Sequence, residues 1–578
     1  MRIAKAGFLT LLFLALGIVP STEAQSTVGT VTMSKANITG TAVLGSGKYP
    51  GYNPSNLPSV KPDYDLLEAR RNSVSHAASL QAAAVSSALS VPAPKPNPVI
   101  NHGTGVSFPG LTTVDTANAN GFVLSPPDQG LCVGHGFVLE VINLSMAVYT
   151  KTGTRLTTPE AVNSFFGADP AVTFLSDPRC YYDQPTQRWF VSLTNVINFN
   201  TGRSNLYLAV SQTSDPRGAF TIYSIDTTED GTGGTPSNPG CSTASPCFGD
   251  QPTLGADANG IYLTTNEFGV FANVFNGAQI YALSKADLVA GTPLTLVHIG
   301  NLPLAEGIAY SVQPASSPDL SGDGGSGTEY FLSALDFFNT NDNRIAVWAL
   351  TNTRSLTRAT PTVFLTDVVI SSEVYGLPPL ATQKAGPYPL GQSLGDPEET
   401  LNTGDDRMQQ VVFSSGHLWG ALNTVVSDGT KWNSGIAYFD VRPKESKGVL
   451  SATVQGQNYV SVQGASVMYP AVAVTADGAA AVAFSLSGPS YFPSAAYSKL
   501  TPSHALGVNL VAAGAGPQDD FSGYPQFGGG GDARWGDYSW AVADGRSIWM
   551  AAEYIPGGID SVNYFTDFGT FIYEVKPD

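Results

Sequence analysis

The residues of this chain whose types and spacing suit chemistry are acidic, and they recur. Asp128, Asp177, Asp250, Asp406 and Asp537 stand at the head of similar stretches. These are DQGLCVGHGFVLEVIN, DPRCYYDQPTQRWFVSLTN, DQPTLGADANGIYLTTNE, DRMQQVVFSSGHLWGALN and, fullest of all, RWGDYSWAVADGRSIWMAAEY from Arg534 to Tyr554. If equivalent positions share one ring, five carboxylates repel one another there, the more so in a low dielectric. Cations, arginines or backbone amides must offset that, and Arg179, Arg407 and Arg534 each lie within three residues of a ring aspartate. The aspartates either cap turns and stitch a scaffold, or they form a cation or polar-ligand site.

A second polar set closes each stretch: Asn143, Asn195, Glu267, Asp336, Asn423 and Glu553. Glu267 and Glu553 are its acid–base candidates. The loop GAGPQDDFSGYPQFGGGGDAR, before Arg534, sets Phe521, Tyr524 and Phe527 among glycines, a composition suited to ligand contact on a rigid scaffold. Asp319, Ser321, Asp323 and Glu329 in SPDLSGDGGSGTEY supply oxygens in the order of a calcium loop, with Gly324 at the turn. Its acidic end falls one residue short of the full pattern, so a plain glycine-rich hairpin is the competing reading. Calcium is the one cofactor suggested. Six scattered histidines and the absence of a Ser-His-Asp arrangement or phosphate loop weigh against other enzyme classes.

Repetition dictates the elements that carry these residues. Weaker copies start near Ser311 and at Tyr469, giving seven repeats of roughly 65 residues. A strand, a turn and a second strand are followed by a third strand, as in LYLAVSQTS (Leu206), QIYALSKAD (Gln279), RIAVWALTN (Arg344) and GIAYFDVRP (Gly435). Several copies add a fourth. This pattern predicts an all-β chain, a seven-bladed β-propeller of four-stranded antiparallel blades over residues 101–578. The chain ends on a third strand, TFIYEVKPD, so the N-terminal stretch Gly105 to Asp115 is expected to complete the last blade and cover its open edge.

Upstream, residues 1–24 read as a signal peptide, with a basic start, an apolar run and Thr22-Glu23-Ala24. Residues 25–100 read as a low-complexity segment, loose over 25–60, with a helix over 63–90 and a Pro-rich linker from Pro92 to Pro98. No later stretch has the length of a membrane helix, so the expected product is exported, extracellular or periplasmic. A net charge of -18 with only 13% charged residues argues against nucleic acid and anionic membranes. In an exported chain Cys241 is expected to pair locally with Cys247, while Cys132 and Cys180 either bridge neighbouring repeats or remain two buried free thiols.

The WGDYS motif, the Asp-Gly turns and the leader resemble exported propellers of the sialidase-like, BNR-repeat kind over Gly121 to Asp578. That resemblance implies hydrolysis or binding of glycans. It lies in repeat grammar, since the S-x-D-x-G-x-T-W box is absent and SDGTKW at Ser427 has other spacing. Neither the arginine triad nor the Tyr-Glu pair of such families is carried over. The expectation is a monomer that binds a polysaccharide, glycoprotein or peptide through Asp128, Asp177, Asp250, Asp406, Asp537, Arg534 and Tyr524. A glycan-active hydrolase or lyase and a structural surface module are the alternatives.

Overall fold

The computed structural model describes residues 29–47, 89–100, 105–317, 327–336, 340–446, 448–557 and 568–577. The leader, all but the last two residues of the expected helix at 63–90, and Asp319, Ser321 and Asp323 of the expected calcium loop lie outside them.

The described chain is all-β. From Gly130 onward it lays down antiparallel meanders whose first strands are Gly130–Gly134, Leu175–Asp183, Cys247–Ala256, Gln313–Ser316, Met408–Ser414, Ser466–Val474 and Trp540–Asp544. Each of these packs beside the next, and Trp540–Asp544 in turn packs beside Gly130–Gly134. Second and third strands such as Ser547–Tyr554 and Phe275–Ser284 are buried along almost their whole length. Sheets therefore cover both faces of these strands, so buried positions do not alternate with exposed ones along them. Aliphatic and aromatic side chains fill the space between neighbouring sheets, as where Trp189, Val191 and Leu193 meet Leu139, Val141 and Val148.

At the last meander, Ser107–Thr112 pairs antiparallel with Gly569–Val575, setting Phe108 opposite Ile572 and Thr112 opposite Gly569. Thr112 then ends the strand by capping the helix Thr113–Asn120: its hydroxyl accepts from the Asp115 amide while the Asp115 carboxylate accepts from the Thr112 amide.

The N-terminal segment corrects the expectation of loose structure over 25–60. Thr30–Val43 is one long strand whose second half pairs with Ala219–Asp226 and whose first half pairs with Leu294–Gly300. It covers the outer edges of two consecutive meanders. Its sequence, TVTMSKANITGTAV, is rich in β-branched residues, but only Ser34, Ala36 and Ala42 face inward. Small residues on the buried side leave no apolar alternation to detect.

Both cysteine pairs are bonded. Cys132 joins Cys180 between the first strands of adjacent meanders, with Cα atoms 5.3 Å apart, and Cys241 joins Cys247 with a Cα separation of 5.4 Å. No described helix is long and apolar enough to cross a membrane.

Candidate functional site

The heads of the first strands share a backbone device. Asp128, Asp177, Gln251, Ser311, Tyr469 and Asp537 all have positive φ, between 44° and 57°. Such conformations are costly for side chains other than Asn and Asp, and they cluster where structure or function requires them. In three of these meanders the ladder register slips at this point, between Ser176 and Arg179, Asp250 and Thr253, and Met468 and Ala471, and the meander that begins with Met408–Ser414 slips between Met408 and Val411. This bulge turns the strand head. The expected ring is thereby shifted at two places. Gln251, not Asp250, takes the turned position in its meander, and Asp406 lies upstream of the slip, which contains Gln409 and Gln410.

Asparagines lock the device. Asn143 Oδ1 accepts the Asp177 amide (2.9 Å), Asn266 Oδ1 the Ser311 amide (2.7 Å) and Asn423 Oδ1 the Tyr469 amide (2.7 Å), each reaching from the preceding meander. In the meander holding Glu267, the locking residue is thus its neighbour Asn266. The Trp-Gly-Asp-Tyr motif has a steric cause of its own. Gly536, at φ 74°, lies so close to Tyr469 that a Cβ there would stand 2.2 Å from the ring.

Asp128, Asp177 and Asp537 head meanders that are consecutive in space and act on one another electrostatically. Asp128 is buried, with Oδ2 accepting from Asn143 Nδ2 at 2.8 Å and Oδ1 without a hydrogen-bond partner among the described residues. Burial, then the charges of Asp537 and Asp177, push its carboxyl well above the ordinary range. Burial and Asp537 raise Asp177 to about 6. The amide of neighbouring Gln129, fully buried, also has no hydrogen-bond partner among the described residues.

All three arginines arrive here, each already engaged. Arg534 donates to Asp537 Oδ2 at 2.7 Å. Arg407 grips both oxygens of Asp405 (2.6 and 2.8 Å) and donates to Gln251. Arg179 donates to the Pro252 carbonyl and lies 3.1 Å from the centre of the Tyr538 ring. Tyr538 and Trp540 then bond across to the carbonyls of Pro178 and Cys180. Spacing placed the arginines near the acids, but only the fold showed that carboxylates, carbonyls and rings already hold them.

Glu553 is buried, accepts the Gly536 amide at 2.7 Å and is pushed well up by burial, with Asp520 and Asp537 adding to the shift. Glu267 belongs to a separate buried cluster beneath the Cys241–Cys247 loop. Asn238 and Asn276 donate to it, and burial raises it to about 8. Beside it Glu229, missed in the sequence, is raised to about 9 by burial and by Glu267. Tyr524 is 1% exposed, its hydroxyl donated to Asp519 at 2.5 Å, so it braces its loop. Glu329 is buried within the strand Thr328–Ala334, near Asp257 and Lys285. Cys241, Cys247 and Glu267 form the one described trio of His, Cys, Asp or Glu with ligand atoms mutually within 4.8 Å, and its sulfurs are joined to each other.

No family model matches the sequence, and no curated protein matches it. Among solved structures the chain is similar to a Hadza microbial sialidase, at 10% identity and a TM-score of 0.31 over 76% of each chain. It is similar to an exo-β-1,3-galactanase from Clostridium thermocellum, at 10% identity and a TM-score of 0.27 over 82% of this chain and 96% of that one. It is also similar to the extracellular domains of Drosophila semaphorin 1b, at 9% identity and a TM-score of 0.27 over 84% and 88%. Likeness of this degree does not choose between enzyme and binder.

Proposed function

We infer that this chain is an exported seven-bladed β-propeller that binds a polar ligand, a glycan or a peptide, at the acidic mouth formed by Asp128, Asp177 and Asp537. Support for the ring comes from the cyclic order of the first strands, and support for its closure from the pairing of Ser107–Thr112 with Gly569–Val575. The propeller spans 101–578, with Thr30–Val43 added along its outer edges. Two disulfides accord with export.

The observation that carries the binding reading is the unpartnered Oδ1 of Asp128 beside two further carboxylates. The fold leaves that oxygen unsatisfied, and a ligand hydroxyl, amine or amide would satisfy it. In the loop before Arg534, Phe521 and the exposed Phe527 meet edge to face, centroids 6.3 Å apart, offering apolar surface to a sugar ring.

A second reading, glycan hydrolysis, is favoured by the unequal environments of the mouth carboxylates. Asp128 is driven toward its protonated form, while Asp537 is held by Arg534. A carboxyl pushed toward its neutral form suits a general acid.

Retention on a panel of immobilised glycans and peptides, with product release measured separately, tests both. Binding by the wild type and its loss in Asp128→Asn is expected, and retention unaffected by that substitution would refute the mouth as the site. Turnover lost in Asp128→Asn would establish the second reading.

A further inference from the structure

We propose that the overhanging hairpin at residues 442–453, with Gly416 and the strand Thr328–Ala334 beside it, forms a binding site for a small molecule that carries a carboxylate, sulfate or phosphate group. The strand Trp432–Ser446 outruns its neighbour on one side. Its pairing with His417–Ser427 ends at Leu418 opposite Val441, while its pairing with Val449–Val460 continues to Ser446 opposite Val449. Residues 442–453 therefore project as a two-stranded ribbon past the turn at Ser415 and Gly416. That turn follows the far end of the first strand Met408–Ser414, so the ribbon stands away from the strand heads and from the acidic mouth.

Between the ribbon and the body of the protein lies a cavity of about 550 Å³, a size suited to a small molecule. Strand register assigns the chemistry of its lining. Arg442 stands opposite Thr453 and Lys444 opposite Ser451, and residues two apart on a strand share a face. All four are exposed, and all four line the cavity. The other face carries Pro443 and Leu450, both buried, and Ala452, which packs on the core. From the opposite side come Thr328 and Tyr330, the latter braced against Phe413 with ring centroids 4.9 Å apart. A Cβ on Gly416 would meet nothing within 4 Å, so that edge is open.

The charges on this lining are unbalanced. Among the described residues, neither the Arg442 guanidinium nor the Lys444 ammonium has a hydrogen-bond or ion-pair partner. Glu445, the one carboxylate on the lining, accepts the Gly448 amide of its own turn at 2.6 Å. Thr453 Oγ1 accepts from Gln455 Nε2 at 2.9 Å, which leaves its hydroxyl proton free to donate. Two cations side by side on one face repel each other, and in a chain of net charge -18 no structural need sets them there. An oxyanion relieves that repulsion. The planar guanidinium of Arg442 matches a carboxylate, sulfate or phosphate with two parallel hydrogen bonds, Lys444 adds a compact charge, and Thr453 adds a neutral donor.

The test is calorimetric titration of the full chain at low ionic strength with sodium glucuronate, sodium sulfate and inorganic phosphate, and with neutral glucose as the control. At least one anion should bind and glucose should not, and the anion that binds names the group the ligand carries. Arg442→Gln should weaken that binding about tenfold or more, and Arg442→Lys should recover part of the loss. Because Arg442 is exposed on the ribbon, both variants should melt as the wild type does, which shows that the loss is local. Lys431→Gln, at an exposed lysine on a different turn, should bind as the wild type does. No binding of any of the three anions up to ~10 mM would overturn the proposal. So would equal binding by Arg442→Gln, an equal loss in Lys431→Gln, or binding of glucose as tight as that of the anions. Glycan and peptide retention at the mouth is scored separately, so either proposal can fail without the other.

Discussion

At Asp128, Asp177 and Asp537 the turned residue at the head of the first strand carries a carboxylate, while at Gln251, Ser311 and Tyr469 the same backbone carries a neutral side chain. The lock does not distinguish them: Asn143 holds the Asp177 amide as Asn266 holds that of Ser311 and Asn423 that of Tyr469. The fold needs the conformation, then, and not the charge. Asp tolerates positive φ better than Gln or Tyr, which explains single aspartates at such positions. It does not explain three of them side by side, repelling one another, with one oxygen unsatisfied. That excess over structural need marks the acidic arc as the candidate site.

The acidic arc also straddles the seam where the last meander meets the first, so the largest effect should come from opening that seam. Deleting residues through 115 removes the partner of Gly569–Val575 and should prevent folding, read as loss of a cooperative melt and aggregation on size exclusion. Deleting only through 47 bares the outer edges of the meanders headed by Asp177 and Gln251 and should lower Tm while leaving a folded chain. Identical melts for the two truncations would break the distinction.

The lock itself should cost the same on either arc. Asn423→Ala strands the Tyr469 amide and removes bonds to the carbonyls of Thr403 and Asp405. The loss should be on the order of 3 kcal/mol in urea unfolding. Asn143→Ala, which strands the Asp177 amide and frees Asp128, should cost a similar amount. A much smaller cost at Asn143 would mean that the acidic arc is not built on the shared device.

Substitutions at the carboxylates should then separate members of the arc by sign. Asp128→Asn relieves a buried, partly unsatisfied charge and should raise stability at neutral pH by about 1 kcal/mol. Asp537→Asn gives up the half-exposed pair with Arg534 and should lower it by about 1 kcal/mol or less. Melting shifts of the same sign would contradict this assignment.

Finally, the acidic arc should leave a pH signature that the neutral one lacks. The folded carboxyl of Asp177 sits at about 6, above its ordinary value of 3.8. Between those two values the folded chain binds more protons than the unfolded one, so stability falls as pH rises through the window. Below it nothing is lost. Asp177→Asn should flatten that part of the profile of urea midpoints, and Gln251→Ala should leave it unchanged. An unaltered slope in Asp177→Asn would show that the residue titrates normally. Glu140, which is buried and raised to about 7, extends the same fall to higher pH in both variants.

The sequence by itself determined the class of fold. Buried strands flanked by Gly-Asp and Asp-Gly turns are local signals, and their repetition is visible without knowing what touches what. The pairing of Cys241 with Cys247 was likewise legible, because they lie only six positions apart. What the tertiary structure decided was register and company. The positions of Gln251 and Gln409 depend on ladder slips that no letter announces, so Asp250 and Asp406 looked equivalent to Asp177 when they are not. Thr30–Val43 escaped notice because its buried face is made of small residues. The neighbours of Asp128 lie on strands roughly 50 and 400 residues away, and its charge state follows from burial and from those neighbours. Burial and long-range Coulomb interactions are properties of the folded arrangement, and residue spacing along the chain carries neither.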